Sequence, residues 1–115
     1  MAEHVLFVGW NRPLAGREKV CSELFATALG FWASQKEQGN IESFEPVLLT
    51  VHGGDLNGFI LVRGDRAKLD TVRSSDAFLD LMTQININAQ GLGILGGWTG
   101  DGAAKQMARY QKALK

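Results

Sequence analysis

Val5-Leu6-Phe7-Val8 and Phe59-Ile60-Leu61-Val62 are continuous apolar runs, rich in β-branched and aromatic residues, and each predicts a β-strand. Val47-Leu48-Leu49 lies in a third predicted strand of the same character. Because successive side chains of a strand point to opposite faces, these runs place large apolar groups on both faces of a sheet. A sheet with one face in water would instead alternate apolar and polar residues. The sequence therefore predicts a sheet that must be covered on both sides.

Helical and extended patterns alternate along the rest of the chain. A broad apolar stripe at helical spacing predicts a helix over residues 17–38, and Gly39 supplies its left-handed cap. Asp65, then Ser74 or Ser75, are expected to begin two further helices, and Asp101 a last one. Pro46 indicates that the second strand lies at a sheet edge or carries a bulge. The predicted strands cover residues 4–10, 41–51, 58–63 and 91–99.

The predicted order is β-α-β-β-α-β followed by a C-terminal helix, in a single domain that spans residues 1–115. This is the split βαβ, ferredoxin-like plan of the α+β class, built on a four-stranded antiparallel sheet. Since β-α-β crossovers are right-handed, both long helices should lie on one face of the sheet. The first and third strands should be central neighbours, and the opposite face is left without helices.

That opposite face needs a cover of its own, because a half-dozen exposed apolar side chains exceed what soluble monomers tolerate. One candidate is the same face of a second copy, in a two-fold dimer. The alternative is the last helix, on which Ala103, Met107, Tyr110 and Leu114 share one side. This stripe is too narrow to shield a whole sheet, so the sequence favours a homodimer that packs sheet against sheet.

Composition narrows the classes of function. Lys and Arg number 12, and Asp and Glu also number 12, so the zero net charge argues against a nucleic-acid partner. No apolar run approaches a membrane span and no basic segment opens the chain, so we expect no membrane association and a cytoplasmic location. Two histidines without carboxylates at ligand spacing predict no metal site. Residues 91–96 match the letters of a dinucleotide motif but lie in a predicted strand, so we expect no cofactor.

Several segments together resemble a known family. Residues 64–78 are similar to the short helix, break and helix common in the dimeric α+β barrel superfamily, and residues 5–13, 43–47 and 52–59 resemble an uncharacterised bacterial branch of it. The resemblance implies two ferredoxin-like subunits packed sheet against sheet. The superfamily includes cofactor-free monooxygenases of polyketide quinols, haem-degrading oxygenases, lactone isomerases, haem peroxidases and members without known activity. It therefore leaves open whether this chain is an enzyme.

Three residues are candidates for catalysis. His52 is the best candidate for acid–base work, because imidazole is the side chain that titrates nearest neutrality. Asn11 or Arg63 would stabilise an anion formed from the substrate. Trp10 and Asn11 lie at the end of the first predicted strand, and Arg63 ends the third. Because these two strands are expected to be central neighbours, Trp10 and Arg63 are expected near one end of the sheet. The competing interpretation pairs Arg63 with Asp65 or Glu45 at the surface.

Aromatic residues suggest where a ligand would bind. Trp10, Trp32, Phe78 and Trp98 are candidates to line a cleft between helices and sheet, although their spacing also suits core packing. Three functions follow: a dimer that binds a small apolar or aromatic molecule, a cofactor-independent monooxygenase or isomerase acting on an aromatic, quinol-like substrate, and a structural or regulatory assembly module. An open cleft would favour the first two, and a cleft filled by these rings would favour the third.

Overall fold

The chain folds in the order that the apolar patterns predict. The computed structural model describes residues 3–114. Two strands of two residues each, additional to the predicted ones, pair with each other beside the main sheet. The elements are β1 (His4–Trp10), β2 (Arg12–Pro13), α1 (Glu18–Glu37), β3 (Ser43–Leu48), β4 (Gly58–Gly64), α2 (Arg66–Arg73), α3 (Asp76–Asn88), β5 (Ala89–Gln90), β6 (Gly93–Trp98) and α4 (Gly100–Ala113).

The main sheet is antiparallel and has the strand order β3-β4-β1-β6, so the predicted α+β, ferredoxin-like plan is confirmed. β1 and β4 are the central neighbours, as expected. β3, which contains Pro46, is an edge strand, which agrees with the missing N–H of proline. β3 ends at Leu48 rather than at residue 51. Leu49 N–H still donates a hydrogen bond to the carbonyl of Asn57, the residue before β4, and the chain then leaves the sheet as a loop.

The helix ends follow their predicted signals in most places. Gly39 has φ +78° and closes α1, and the Asp65 side chain caps α2 by accepting from Lys68 N–H. Ser75, the second of the two candidate serines, caps α3. α4 begins one residue after Thr99, so the prediction that Asp101 caps it was wrong. None of the helices within residues 3–114 combines the length and the apolar character needed to cross a bilayer.

The hydrophobic core lies between the sheet and its helices. One face of the central strands supplies Leu6, Val8, Ile60 and Val62, each at most 2% exposed. Trp32 of α1 is completely buried, and Phe78 of α3 packs against it with ring centroids 6.0 Å apart. We call this side of the sheet the helix-covered face. The other buried apolar residues are Ala28, Ile41, Leu69, Val72, Leu81 and Met82.

The opposite side of the sheet, here named the open face, carries Val5, Phe7, Val47, Phe59, Leu61 and Leu95. The strand register sets Phe7 beside both Leu61 and Leu95, and the Phe7 and Phe59 rings stack with centroids 4.9 Å apart. Leu95 is 60% exposed. The C-terminal helix does not cover this face: α4 packs on β6, and its stripe of Met107, Tyr110 and Leu114 is more than half exposed.

Candidate functional site

An open cleft lies between α1, α3 and the helix-covered face, at the end of the sheet where β1 finishes. Its volume is about 310 Å³. Nearly all of its walls are apolar, and we refer to it as the apolar cleft. Such a volume is at the lower end of the range for small-molecule sites. The lining residues are Val8, Trp10, Pro13, Glu18, Cys21, Ser22, Leu24, Phe25, Ala28, Trp32, Leu48, Ile60, Met82, Ile85, Ala89 and Leu92.

Two small residues make room for the cleft and its aromatic wall. Ala28 faces the cleft from the middle of α1, where a longer side chain would occupy the space. Gly58 lies opposite Trp10 in the register, and a Cβ at Gly58 would approach the Trp10 ring to 2.7 Å. The Trp10 ring can therefore lie flat across β4 and meet Phe25 of α1, with ring centroids 5.8 Å apart. Glycine at the start of β4 is the signal in the sequence for that crossing.

The polar groups of the apolar cleft are few. Trp32 forms part of its floor, and the indole Nε1 of Trp32 is buried without a hydrogen-bond partner among the described residues. Cys21 is only partly buried, and its Sγ donates to the Asn88 carbonyl at 3.3 Å. Burial raises the pKa of the Cys21 thiol, and the nearby Glu18 carboxylate acts in the same direction. The cleft thus has a protonated thiol among its lining groups, and the ring that forms part of its floor carries a buried, unpartnered N–H.

The four predicted ligand-binding residues fall into two groups. Trp10 and Trp32 line the apolar cleft. Phe78 is buried behind Trp32 and supports it from α3, without lining the cleft itself. Trp98 lies at the other end of the sheet, because residue 98 pairs with His4 at the beginning of β1. The rings therefore do not fill one common cleft.

His52 lies in the loop between β3 and β4, outside the lining of the apolar cleft. The imidazole is exposed and is held within its own loop. Its Nδ1 accepts from Gly54 N–H at 3.0 Å, and its Nε2 donates to the Leu56 carbonyl. Both ring nitrogens are thus engaged in shaping the hairpin loop.

Asn11 follows Trp10 at the same end of the sheet. Its Oδ1 accepts from the Asn57 side chain at 2.6 Å, and its backbone N–H donates to the Gln90 carbonyl at 2.9 Å. These bonds tie the end of β1 to the loop between β3 and β4 and to the short strand β5. Asn11 is next in the chain to Trp10, which lines the apolar cleft, but Asn11 itself is not a lining residue.

Arg63 lies at the opposite end of the sheet from Trp10, so the expectation that they share one end was wrong. β1 and β4 run antiparallel, which sets Trp10 opposite Gly58 and Val5 opposite Arg63. The Arg63 guanidinium forms an ion pair with Glu45 at 3.5 Å, as the surface alternative predicted. This pair lies at one end of the open face.

A second cleft, of about 270 Å³, lies between α2 and β6 near the beginning of β1. It contains charged and aromatic groups, and we call it the polar cleft. The sequence did not indicate this cleft, because its residues come from three separate segments and Trp98 was expected beside the other rings. Its lining residues are His4, Val5, Leu6, Arg66, Leu69, Asp70, Arg73, Gly96, Gly97 and Trp98. Throughout residues 3–114, no three His, Cys, Asp or Glu side chains come together in a way that could hold a metal ion.

Comparison with solved structures supports the fold. A dimeric protein of unknown function and ferredoxin-like fold from Bacteroides fragilis is similar, with a TM-score of 0.60, 10% identity, and coverage of 84% of this chain and 96% of that one. SnoaB, a cofactor-independent oxygenase from Streptomyces nogalater, is similar with a TM-score of 0.51 and 18% identity, over 86% of this chain and 93% of that one. A mutant of SnoaB gives a TM-score of 0.54 at 17% identity, with the same coverage. No protein-family model matches the sequence, and no curated protein matches it significantly.

Proposed function

We propose that this chain binds a small apolar or aromatic molecule in the apolar cleft and does so as a homodimer. The observation that carries the proposal is an open cavity of about 310 Å³ in the core layer, where close packing would normally leave no space. Apolar walls with a few placed polar groups are the usual composition of a small-molecule site. The cleft is open rather than filled by aromatic rings, which favours binding over a purely structural role.

The chemistry of the walls indicates the kind of ligand. The rings of Trp10 and Phe25 meet edge to face at the cleft and offer contacts to a flat aromatic molecule. The Trp32 indole N–H lacks a partner, and an unsatisfied buried donor costs about 1–3 kcal/mol. A ligand with a carbonyl or phenolic oxygen would supply the missing acceptor if the side chains around Trp32 move to expose its N–H. We therefore propose an aromatic ligand that carries at least one oxygen acceptor.

A thermal-shift screen of aromatic compounds, quinones included, tests this proposal. A ligand present at about one hundred times its Kd stabilises the protein by about 2.7 kcal/mol, which raises the melting temperature measurably. Ala28→Leu narrows the cleft and should abolish the shift. Ala26→Leu makes the same change at an exposed position of the same helix and should leave the shift unchanged. A panel without any shift, or an equal shift in both variants, would contradict binding in this cleft.

The homodimer part of the proposal rests on the open face. Its apolar side chains come from all four strands of the main sheet, and α4 leaves them uncovered. A two-fold interface is self-complementary, so one apolar face is enough to build it. The dimeric ferredoxin-like protein from Bacteroides fragilis supports this proposal. Light scattering at micromolar concentration should give the mass of two chains of 12.5 kDa, and the mass of a single chain would contradict it.

A second candidate is a cofactor-independent monooxygenase or isomerase that acts on an aromatic, quinol-like substrate. The structural likeness to SnoaB supports the oxygenase form of this candidate. Asn11 is proposed as the anion-stabilising group, since it follows Trp10 at the end of the sheet where the apolar cleft opens. His52, in the loop at the same end, is proposed as the base, a role that requires its bonds to Gly54 and Leu56 to open and the loop to turn toward the cleft. Arg63, the alternative to Asn11, lies at the opposite end of the same subunit.

Oxygen uptake with a hydroquinone as the probe tests this second candidate. Uptake that requires the folded protein and falls in His52→Ala and Asn11→Ala would support it. An uptake rate equal to that of the buffer, alongside a positive ligand screen, would leave binding as the function. A screen and an assay that are both negative would favour the assembly module.

A further inference from the structure

The polar cleft is a separate candidate site, at the opposite end of the sheet from the apolar cleft. We propose that it binds a small aromatic carboxylate. Arg66 and Arg73 would hold the carboxylate, and Trp98 would contact the aromatic ring. The proposal does not depend on the function proposed for the apolar cleft, because the two sites have no lining residue in common.

Positive charge dominates one wall of the polar cleft. Arg66 and Arg73 are seven residues apart, so both lie on the side of α2 that faces the sheet. Asp70 lies between them and its Oδ2 is 3.9 Å from Arg66 Nε, a long and exposed ion pair. Within residues 3–114, Arg73 has no acidic partner. This wall therefore carries an uncompensated guanidinium.

Arg73 is oriented by a hydrogen bond to the main sheet. Its Nη2 donates to the Ile94 carbonyl at 3.2 Å, which ties the guanidinium to the edge strand β6. A guanidinium has five N–H donors, so the remaining ones are free to bind a carboxylate in a planar, two-pronged geometry. The bond to Ile94 already fixes the orientation of the guanidinium, so less side-chain conformational entropy is lost when a ligand binds.

His4 supplies an independent indication of a missing ligand. Its Nε2 is buried and has no hydrogen-bond partner among the described residues. The ring lies beside Trp98, with centroids 6.1 Å apart, and both rings line the polar cleft. A carboxylate oxygen that accepts a hydrogen bond from His4 Nε2–H would satisfy this buried group.

The shape of the polar cleft favours an organic anion over an inorganic one. Gly96 leaves the floor of the cleft without a side chain, and the register places it beside Leu6. Gly97 contributes only backbone, because a side chain there would point to the open face beside Val5. Trp98 is 45% exposed at the margin and offers a flat apolar surface, and Leu69 adds apolar wall. A bare phosphate would leave this apolar surface unused, whereas an aromatic ring would cover it.

Benzoate is the probe, and benzamide is its neutral control of the same shape. Isothermal titration of the full chain should show that benzoate binds at least about tenfold more tightly than benzamide or inorganic phosphate, as charge-assisted bonds predict. The chain has two histidines, so NMR can follow each imidazole separately. Benzoate should shift the His4 signals and leave the His52 signals in place.

Variants separate this site from the rest of the molecule. Arg73→Gln should weaken benzoate binding by about tenfold or more, while Arg109→Gln, on the exposed part of α4, should have no effect. Gly96→Val fills the cleft, and its Cβ would meet only Arg73 Nη1 at 3.5 Å, so the fold should tolerate it. Ala28→Leu, which narrows the apolar cleft, should leave benzoate binding unchanged.

Each remaining outcome would overturn the proposal. Equal affinities for benzoate and benzamide would show that charge is not recognised. Equal affinities for benzoate and phosphate would show that the aromatic ring is not recognised. Benzoate binding that survives Gly96→Val but is lost in Ala28→Leu would place the ligand in the apolar cleft instead.

Discussion

Ile60 and Leu61 are neighbours on β4, yet they lie on the two different faces of the sheet. Ile60 is 2% exposed beneath α1 and α3, whereas Leu61 lies on the open face beside Phe7. Both are large aliphatic residues, so hydrophobicity alone does not distinguish them. The difference teaches that helices of the same chain cover one face of this sheet and leave the other face open. Substitutions at matched positions can test this division.

The largest expected effect is on the helix-covered face. Ile60→Ala should lower the free energy of unfolding by about 2–5 kcal/mol, because it leaves a cavity between sheet and helices. Chemical denaturation measures this loss. The loss should be the same at low and at high protein concentration, since the contacts removed lie within one subunit. A loss below 1 kcal/mol would mean that this face is packed loosely.

A substitution on the open face should act on assembly instead. Leu61→Asp removes apolar contact that we expect to be worth about 1.5–3 kcal/mol in each copy, and it places like charges near a two-fold axis. Light scattering should show a fall from two chains to one, with the secondary structure retained. Leu79→Asp makes the same change at a half-exposed position on α3 and should leave the mass unchanged. A dimer that survives Leu61→Asp would place the interface elsewhere.

A smaller effect should follow from weakening the helix layer itself. Ser75 Oγ accepts from Phe78 N–H at 3.3 Å at the start of α3, so Ser75→Ala should cost about 0.5–2 kcal/mol of stability. The adjacent Ser74 donates only to helix carbonyls at the end of α2, and Ser74→Ala should cost less. Thermal denaturation compares the two variants. Equal costs would argue against capping as the cause.

The smallest effect concerns the reactivity of Cys21 beside the apolar cleft. Burial and the Glu18 carboxylate raise the pKa of its thiol, so Cys21 stays protonated at a pH where an ordinary cysteine begins to ionise. Alkylation by iodoacetamide should therefore be slower than for free cysteine, and the alkylation rate should begin to rise at a higher pH than it does for free cysteine. This difference should vanish in denaturant. A bound cleft ligand should slow the reaction further.

Local patterns predicted the elements of the fold well. The stripe of α1, the cap residues Gly39, Asp65 and Ser75, and the edge position of Pro46 are all short-range signals, and the structure confirms them. The sequence also predicts Trp10 and Trp32 as cleft residues, and both line the apolar cleft. These features depend on periodicity and on single-residue chemistry, which a sequence displays directly.

The predictions that depended on distance in space were less successful. Trp10 and Arg63 were expected together because each is at the end of a central strand, but the antiparallel register places them at opposite ends. The sequence does not predict the polar cleft, because its lining residues His4, Arg73 and Gly96 are far apart along the chain. Only the pairing of β1 with β6 and the packing of α2 bring them together.

The sequence by itself determined that the sheet carries apolar side chains on both faces, because apolar residues follow one another along its strands and successive side chains point to opposite faces. Only the tertiary structure decided which face the helices take, that α4 leaves the other one open, and that both clefts lie on the helix side. The physical reason is that both faces of the strands carry large apolar side chains, so hydrophobicity does not indicate which face the helices cover. The choice between them arises from crossover handedness and strand register, which are properties of the assembled sheet.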